Sequence, residues 1–213
     1  MHLNVGAEHG RLSWPVPDEL DPARRAVYDA IVGGPRADAR PAFRLTDPAG
    51  RLEGPFNAML INPALGDALQ RLGAAIRYRT ALPDRCREIA ILTVAVERAS
   101  DFEWYAHQRV GRRLGLTEGE LAALRAGVDH VGFSAMERLV RRAILALCRE
   151  RDLDDNLYAA VEDAIGREQL DEVVTLVGYY DLLALSLQVW RTPLPEGELA
   201  GHATEPGSTD GAS

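Results

Sequence analysis

The chain has 213 residues, of which 46% are apolar, 26% charged and 6% aromatic. This balance is typical of a soluble protein that folds as one domain on its own hydrophobic core, without a disulfide or a structural metal. All 24 basic residues are arginines, and the lack of lysine excludes a side-chain Schiff base, a pyridoxal phosphate anchor and a Walker-type phosphate loop. The net charge of −8 argues against nucleic acid and anionic membranes as partners.

Residues 1–20 form an N-terminal lead ahead of a single domain that we expect over residues 21–195. The chain shows no apolar run of signal-peptide length and no uncharged stretch near the ~18 residues of a membrane span, so we expect a cytoplasmic protein. The small, polar residues 196–213 predict a disordered tail. Cys86 and Cys148 lie far apart in helical patterns, and we interpret them as buried thiols in a reducing compartment.

Prolines and capping residues predict helices from the start of the domain. Asp21, followed by a proline, begins a helix that ends at a pair of glycines, Gly33 being the first. Asn62, also followed by a proline, begins an amphipathic helix that runs to about residue 79. Pro83 opens a helix that is apolar on nearly every side, so we expect it at the centre of the fold.

Three sites carry the capping-box pattern, in which a serine or threonine caps a helix and a glutamate three residues later folds back to it. The pairs are Ser100/Glu103, Thr117/Glu120 and Ser134/Glu137, and they predict helices at about 101–115, 118–126 and 135–151. Two more helices are expected at about 155–165 and 168–191. The proline-rich segment 34–55 has no periodic pattern, which predicts an extended loop in an all-α protein.

His107 is the histidine with the most promising neighbours. Glu103 precedes it by four residues, so the two side chains share one helical face. Glu88 lies nineteen residues before His107, in the apolar helix, and the two would meet in an antiparallel helix hairpin. A buried glutamate needs a partner, and a carboxylate bound to an imidazole fixes its tautomer and raises its basicity. The arrangement predicts general acid–base machinery.

Structural alternatives stay open for each of these residues. The pair of Glu88 and His107 could only tether two helices, and Glu103 could only close its capping box. His130, in a short linker, is interpreted as a surface histidine. No metal site is expected, because the second Glu-x-x-His pair of di-iron bundles is missing. The sequence also lacks the hydrolase-elbow, zincin and dinucleotide-binding motifs.

Most of residues 20–196 resembles one known family. The core of the likeness is the run LPDRCREIAILTVAVERASDFEWYAHQRVGRRLGLTEGEL, flanked by GPFNAMLINPALGDALQRLG and VGYYDLLALSLQVWRTPLPEG. The run is similar to the carboxymuconolactone decarboxylase family, which also contains the alkylhydroperoxidase D proteins. Those proteins carry a glutamate followed by C-x-x-C-x-x-x-H. Glu88 and His107 match this pattern, whereas Ser100 and Glu103 occupy the cysteine positions, so a thiol peroxidase reaction is not expected.

The resemblance implies an alkylhydroperoxidase D-like helical bundle that assembles as a homo-oligomer, a trimer or a hexamer. The E-W-x-x-H form resembles the decarboxylase branch, which implies a lyase of aromatic catabolism that needs no cofactor. The substrate would be a small carboxylated or lactone-type metabolite. The alternatives are a peroxidase that uses Cys86 or Cys148 and a non-catalytic oligomeric protein.

The resemblance also implies roles for single residues. His107 would move the proton at the reacting carbon, Glu88 would orient it and Glu103 would assist. The residues implied in substrate binding are Ser100, Trp104 and Asn57. By proximity in sequence alone, the candidates for holding a substrate carboxylate are Arg77, Arg85 and Arg109.

Overall fold

The computed structural model describes residues 9–34 and 42–198. Within these ranges the chain forms eight α-helices, a 3-10 turn at Pro17–Glu19 and no strand beyond one antiparallel bridge between Thr46 and Leu52. The helices are α1 (Pro22–Val32), α2 (Pro55–Ala58), α3 (Pro63–Tyr78), α4 (Asp84–Glu97), α5 (Asp101–Arg113), α6 (Glu118–Arg125), α7 (Ala135–Arg149) and α8 (Asp155–Trp190). The predicted all-α class is confirmed.

Parts of three segments discussed above lie outside the described residues. These parts are residues 1–8 of the lead, 35–41 of the proline-rich loop and 199–213 of the predicted tail. The described part of the loop is irregular apart from the bridge, and it leads into α2. This helix of four residues was not predicted, because it is too short to show a periodic pattern.

Side-chain caps begin the helices at the predicted positions. Asp21 accepts a hydrogen bond from the backbone N–H of Arg24 at 2.9 Å, and Asn62 accepts one from Leu65 at 3.4 Å. Each bond satisfies a backbone donor that has no partner within the helix. The ends of α1, α3, α5, α6 and α7 agree with the prediction within two residues.

Helix α8 is one element of 36 residues where the sequence predicted two helices. The predicted gap corresponds to a kink at Gly166, whose φ of 78° and ψ of 163° are not helical. Glycine tolerates this positive φ, which would strain other residues. The helix ends at Trp190, and Arg191 takes the left-handed conformation.

Helix α4 lies at the centre of the fold, as its apolar pattern predicted. Every residue from Cys86 to Ala95 is buried, and α4 contacts α5, α6, α7 and α8. Burying a large apolar side chain stabilises a protein by roughly 1.5–3 kcal/mol, so this helix anchors the helices around it. Because α4 has little contact with solvent, its charged residue Glu88 needs a partner inside the protein.

Helix α8 is the one helix in the described part of the chain that is long and apolar enough to cross a membrane. Its most apolar window of 18 residues has a mean hydropathy of 1.4 and is 44% buried inside the fold. Val173 and Leu176 of this helix belong to the main hydrophobic core. The length and composition of α8 are therefore only weak evidence of a membrane span, because the core helix of a soluble protein meets the same criteria.

Candidate active site

Glu88 and His107 meet across the hairpin of α4 and α5. Ala99, with a φ of 49°, lies in the turn after α4, from which α5 runs back along α4. The Nδ1 atom of His107 lies 2.7 Å from Oε2 of Glu88, and both side chains are buried. The contact expected from an antiparallel hairpin is present.

His107 is held in its neutral form. Burial lowers its pKa, and the charge and hydrogen bond of Glu88 offset this only in part. The imidazole is therefore neutral at pH 7, and we infer that Nδ1–H donates to the Glu88 carboxylate. In this tautomer Nε2 carries the lone pair. Glu88 raises the pKa of His107, as expected from the sequence, but burial has the larger influence.

Glu103 is buried near this pair with neither of its carboxyl oxygens bonded to any described residue. Burial raises its pKa well above the usual value, and the neighbouring Ser100 hydroxyl offsets this only in part. The carboxyl group therefore stays protonated at a pH where an exposed glutamate ionises. Its O–H group can donate a hydrogen bond to a ligand.

The capping box predicted for Ser100 and Glu103 does not form. Glu103 would have to accept from the Ser100 backbone N–H, but this group donates to the carbonyl of Ala95 at 2.8 Å. The Ser100 side chain makes no cap hydrogen bond either. The other two predicted boxes do form, between Thr117 and Glu120 and between Ser134 and Glu137. The capping role considered for Glu103 is therefore wrong, and its carboxyl group is left for the interior.

A small cavity lies against these side chains, with Glu103, His107, Arg77 and Tyr180 on its wall. Its water-sized inner space measures about 30 Å³, and the whole groove, including the open mouth, measures about 410 Å³. The inner space holds one or two water molecules, so a larger ligand would lie mainly in the open mouth of the groove. The apolar part of the wall includes Phe43, Pro55, Phe56, Phe102, Tyr179 and Leu183.

Tyr180 is a residue of the cavity wall that sequence reasoning missed. Its ring stands edge-on to the imidazole of His107, with ring centres 5.2 Å apart and an angle of 85° between the planes. Burial raises the pKa of Tyr180 well above its usual value, and Arg77 opposes this only in part. The phenol therefore stays protonated and can donate a hydrogen bond. The aromatic pair in VGYYDLL was visible, but nothing in its spacing connects it to His107.

Arg77 is the arginine that reaches the cavity. Among the described residues it makes no ion pair or hydrogen bond, and its guanidinium carbon lies 5.4 Å from the ring centre of Tyr78. Burial lowers the pKa of Arg77, but its neighbours, Tyr180 and Glu88 foremost, together raise it by more. Arg77 therefore stays charged at the edge of the site.

The other two arginine candidates have partners elsewhere. Arg85 pairs with Glu120 and with Glu137, the latter at 2.6 Å, and so links α4 to α6 and α7. Arg109 pairs with Glu198 at 2.7 Å. Neither arginine lines the cavity.

The three residues implied in substrate binding lie away from the cavity wall. Ser100 lines a neighbouring groove that, with its open mouth included, measures about 1020 Å³. Trp104, next to Glu103 in sequence, is turned by about 100° around the helix and packs into a separate apolar cluster. The Asn57 side-chain amide donates to the carbonyl of Ser13 at 3.0 Å. The fold brings together the three proposed catalytic residues but not these three.

Cys86 and Cys148 are free, buried thiols. Burial raises the pKa of each to about 11, so almost no thiolate is present at neutral pH. Neither sulfur lines the cavity. Across residues 9–34 and 42–198, no group of three or more histidine, cysteine or acidic side chains is arranged to hold a metal ion.

Comparisons with known proteins agree with this architecture. Residues 63–146, which carry Glu88, Glu103 and His107, match the carboxymuconolactone decarboxylase family. No curated protein matches the chain. The fold is similar to an alkylhydroperoxidase AhpD core, an uncharacterized peroxidase-related protein from Ralstonia eutropha JMP134. The TM-score is 0.72 at 12% identity, and the match covers 90% of this chain and 95% of that one.

Two further solved structures are similar. An uncharacterized peroxidase-related protein from Silicibacter sp. TM1040 gives a TM-score of 0.69 at 11% identity, covering 92% of this chain and 96% of that one. The debrominase Bmp8 in complex with 2,3,4-tribromopyrrole gives 0.67 at 12% identity, covering 90% and 94%. At such identities these likenesses establish the fold alone. The chain therefore has an alkylhydroperoxidase D-like fold, and its residues 63–146 are similar to the carboxymuconolactone decarboxylase family.

Proposed function

We propose that this protein is a cofactor-independent acid–base enzyme of the decarboxylase type, acting on a small carboxylated or lactone-type metabolite of aromatic catabolism. One observation carries the proposal. A neutral His107, oriented by Glu88 at 2.7 Å, lines the same cavity as a protonated Glu103. A neutral imidazole that accepts a proton and a carboxylic acid that burial keeps protonated are groups that acid–base catalysis uses.

His107 moves the proton in this mechanism. When Nε2 takes a proton, the positive charge on the ring is stabilised by the Glu88 carboxylate at Nδ1–H. Burial keeps the resting imidazole neutral, so Nε2 is available at neutral pH. Glu88 acts through His107 and is a positioning residue.

Glu103 stabilises the charge that develops during the reaction. In a decarboxylation the bond to the carboxylate breaks, carbon dioxide leaves, and the electron pair passes into the conjugated lactone as an enolate. The protonated Glu103 donates a hydrogen bond to the enolate oxygen, which is the role of a carboxylic acid kept neutral by burial. His107, protonated from solvent at Nε2, then gives its proton to the carbon, so one proton is consumed for each carbon dioxide released.

Turnover measurements test the proposal. A panel of carboxylated lactones is incubated in D₂O, and proton NMR follows loss of the carboxyl group and incorporation of deuterium at the same carbon. We expect His107→Gln and Glu88→Gln to lower the rate by about 10²–10⁴-fold, the usual contribution of acid–base groups. His130→Gln is the matched control, because His130 contacts Phe133 outside the cavity.

Three outcomes of these measurements would overturn the proposal. Full activity in both His107→Gln and Glu88→Gln would remove these groups from the chemistry. If the wild-type protein turns over no lactone of the panel and Glu88→Gln only lowers stability by about 1–3 kcal/mol, the pair is a tether in a non-catalytic protein. Peroxidase activity that a double Cys86→Ser, Cys148→Ser variant loses would favour the thiol alternative.

The proposal includes self-association into a homo-oligomer, a trimer or a hexamer. Apolar side chains of α3 and α8 and of the residues before α3 share one groove, whose lining includes the exposed Ile61, Leu65 and Leu182 and the partly buried Leu69 and Trp190. A contiguous apolar surface of this kind is typical of an interface. Sedimentation should detect oligomers that Leu65→Glu dissociates. Val131→Glu, at a position that is 92% exposed and outside this groove, should not. A monomeric wild-type protein would contradict this part.

The proposed location is the cytoplasm. Two buried cysteines that remain free thiols are consistent with a reducing compartment. Cell fractionation of the tagged protein tests this location, and recovery in the membrane fraction would contradict it.

A further inference from the structure

We infer that the cavity binds a planar aromatic carboxylate, with the carboxylate on Arg77 and the ring among the aromatic side chains of the wall. The inference rests on the site of the proposed function and concerns ligand binding there. An aromatic carboxylate has no lactone to take up the electron pair, so it would occupy the site as a ligand and not as a substrate of the proposed decarboxylation. The test of this inference measures equilibrium binding, so it is independent of turnover.

Arg77 brings a positive charge to the cavity without an anion of its own. It is partly buried, and no described carboxylate lies within ion-pair distance of its guanidinium. Glu88 acts on it from farther away and is already bound to Nδ1 of His107. A guanidinium that is partly removed from water gains free energy from an anion. A carboxylate fits its planar fork with two parallel hydrogen bonds.

The other polar groups of the wall also suit a carboxylate. Glu103 and Tyr180 keep their protons, because burial raises both pKa values, and each can donate an O–H. His107 is neutral. The described wall therefore offers donors and one cation. It offers no unengaged anion that would hold an ammonium group.

The rest of the wall indicates the shape of the ligand. Three phenylalanine rings, Phe43, Phe56 and Phe102, line the cavity with Tyr179 and Tyr180. Aromatic rings prefer to meet other rings edge-to-face or with an offset, as Tyr179 and Tyr180 do at 5.4 Å and 88°. A flat aromatic ring can make such contacts with these side chains, whereas a puckered aliphatic ring has no aromatic face or edge to offer.

Calorimetric titration with benzoate as the probe tests the inference. We expect benzoate to bind the wild-type protein and to bind Arg77→Gln roughly 10–100-fold more weakly, as for loss of a hydrogen bond to a charged group. Benzamide, the neutral counterpart of benzoate, should likewise bind the wild-type protein roughly 10–100-fold more weakly than benzoate does. This comparison needs no variant. Arg109→Gln is the matched control: Arg109 is paired with Glu198 outside the cavity, so its loss should leave benzoate affinity unchanged.

Several results would overturn the inference. These are equal binding of benzoate and benzamide, unchanged benzoate affinity in Arg77→Gln, and no benzoate binding at about 10 mM, near the weak limit for a specific site. Equal affinity for cyclohexanecarboxylate would overturn the aromatic part. His107→Gln separates the two proposals, because it should abolish turnover and keep benzoate binding. Binding without turnover in the wild-type protein would therefore refute the proposed function and leave this inference standing.

Discussion

Replacing Glu103 with glutamine tests the protonation state that the proposed chemistry needs. Burial raises the pKa of Glu103 well above 4.5, so the folded protein keeps the proton while the unfolded chain ionises. Between pH 4.5 and the raised pKa, unfolding therefore releases a proton. Over this window the group lowers the free energy of unfolding by up to about 1.4 kcal/mol per pH unit. The stabilisation is fully present below pH 4.5 and is lost as the pH rises through the folded pKa.

Urea unfolding of the wild type and of Glu103→Gln, at a fixed protein concentration and at about pH 5 to pH 8, measures this effect. Because glutamine does not titrate, the stability of the variant relative to the wild type should rise with pH by up to about 1.4 kcal/mol per unit. His107 has a lowered pKa, so its stabilisation is lost as the pH falls from 6.5 through the folded pKa. Both proteins share this contribution, which cancels in the difference.

A matched control separates this effect from other consequences of removing a glutamate. Glu118 is exposed, and its hydrogen bond with Arg112 lowers its pKa, so its own pH dependence lies below pH 4.5. The difference between Glu118→Gln and the wild type should therefore be flat across the measured range. A flat difference for Glu103→Gln as well would refute the reasoning, because the carboxyl group would then ionise equally in the folded and unfolded states.

Two further predictions concern the support of the site and the thiols. Gly54→Ala should lower stability by more than about 1 kcal/mol, because an added Cβ would overlap the Phe102 ring at a φ of +63°. Gly178→Ala, in α8 where a Cβ meets nothing within 4 Å, should be neutral or stabilising, so equal melting temperatures for the two variants would contradict this account. Cys86 and Cys148, with pKa values of about 11, should react with a disulfide reagent at neutral pH only in urea, and rapid labelling of the folded protein would show that they are accessible.

The helices could be predicted because their signals act between close neighbours. Asn62, Thr117 and Ser134 each accept a hydrogen bond from a backbone N–H three residues later, and this contact depends on little beyond the local chain. The meeting of Glu88 with His107 could also be predicted, because an antiparallel hairpin of two successive helices fixes which positions face each other. The rest of the site depends on contacts that the local sequence does not encode.

Ser100 and Glu103 show where the local reasoning fails. Their spacing is that of the two capping boxes that form, yet the backbone N–H of Ser100 is already bonded to the carbonyl of Ala95 in the preceding turn. The cavity wall is harder still to predict, because Arg77 and Tyr180 come from α3 and α8. Which residues of α3 and α8 reach His107 depends on how those helices cross the central hairpin, and capping signals carry no information about crossing.

A structural tether and an acid–base site differ in what they explain about this cavity. A tether needs only Glu88 and His107, whose hydrogen bond satisfies both groups. It leaves Glu103 buried with no hydrogen bond and Arg77 partly buried with no described anion, and each of these lowers the stability of the fold. A ligand in the cavity would neutralise Arg77 with its carboxylate and accept from the Glu103 O–H with a second oxygen. The two unsatisfied groups lie on one wall beside His107, so a bound anion accounts for both, and a tether accounts for neither.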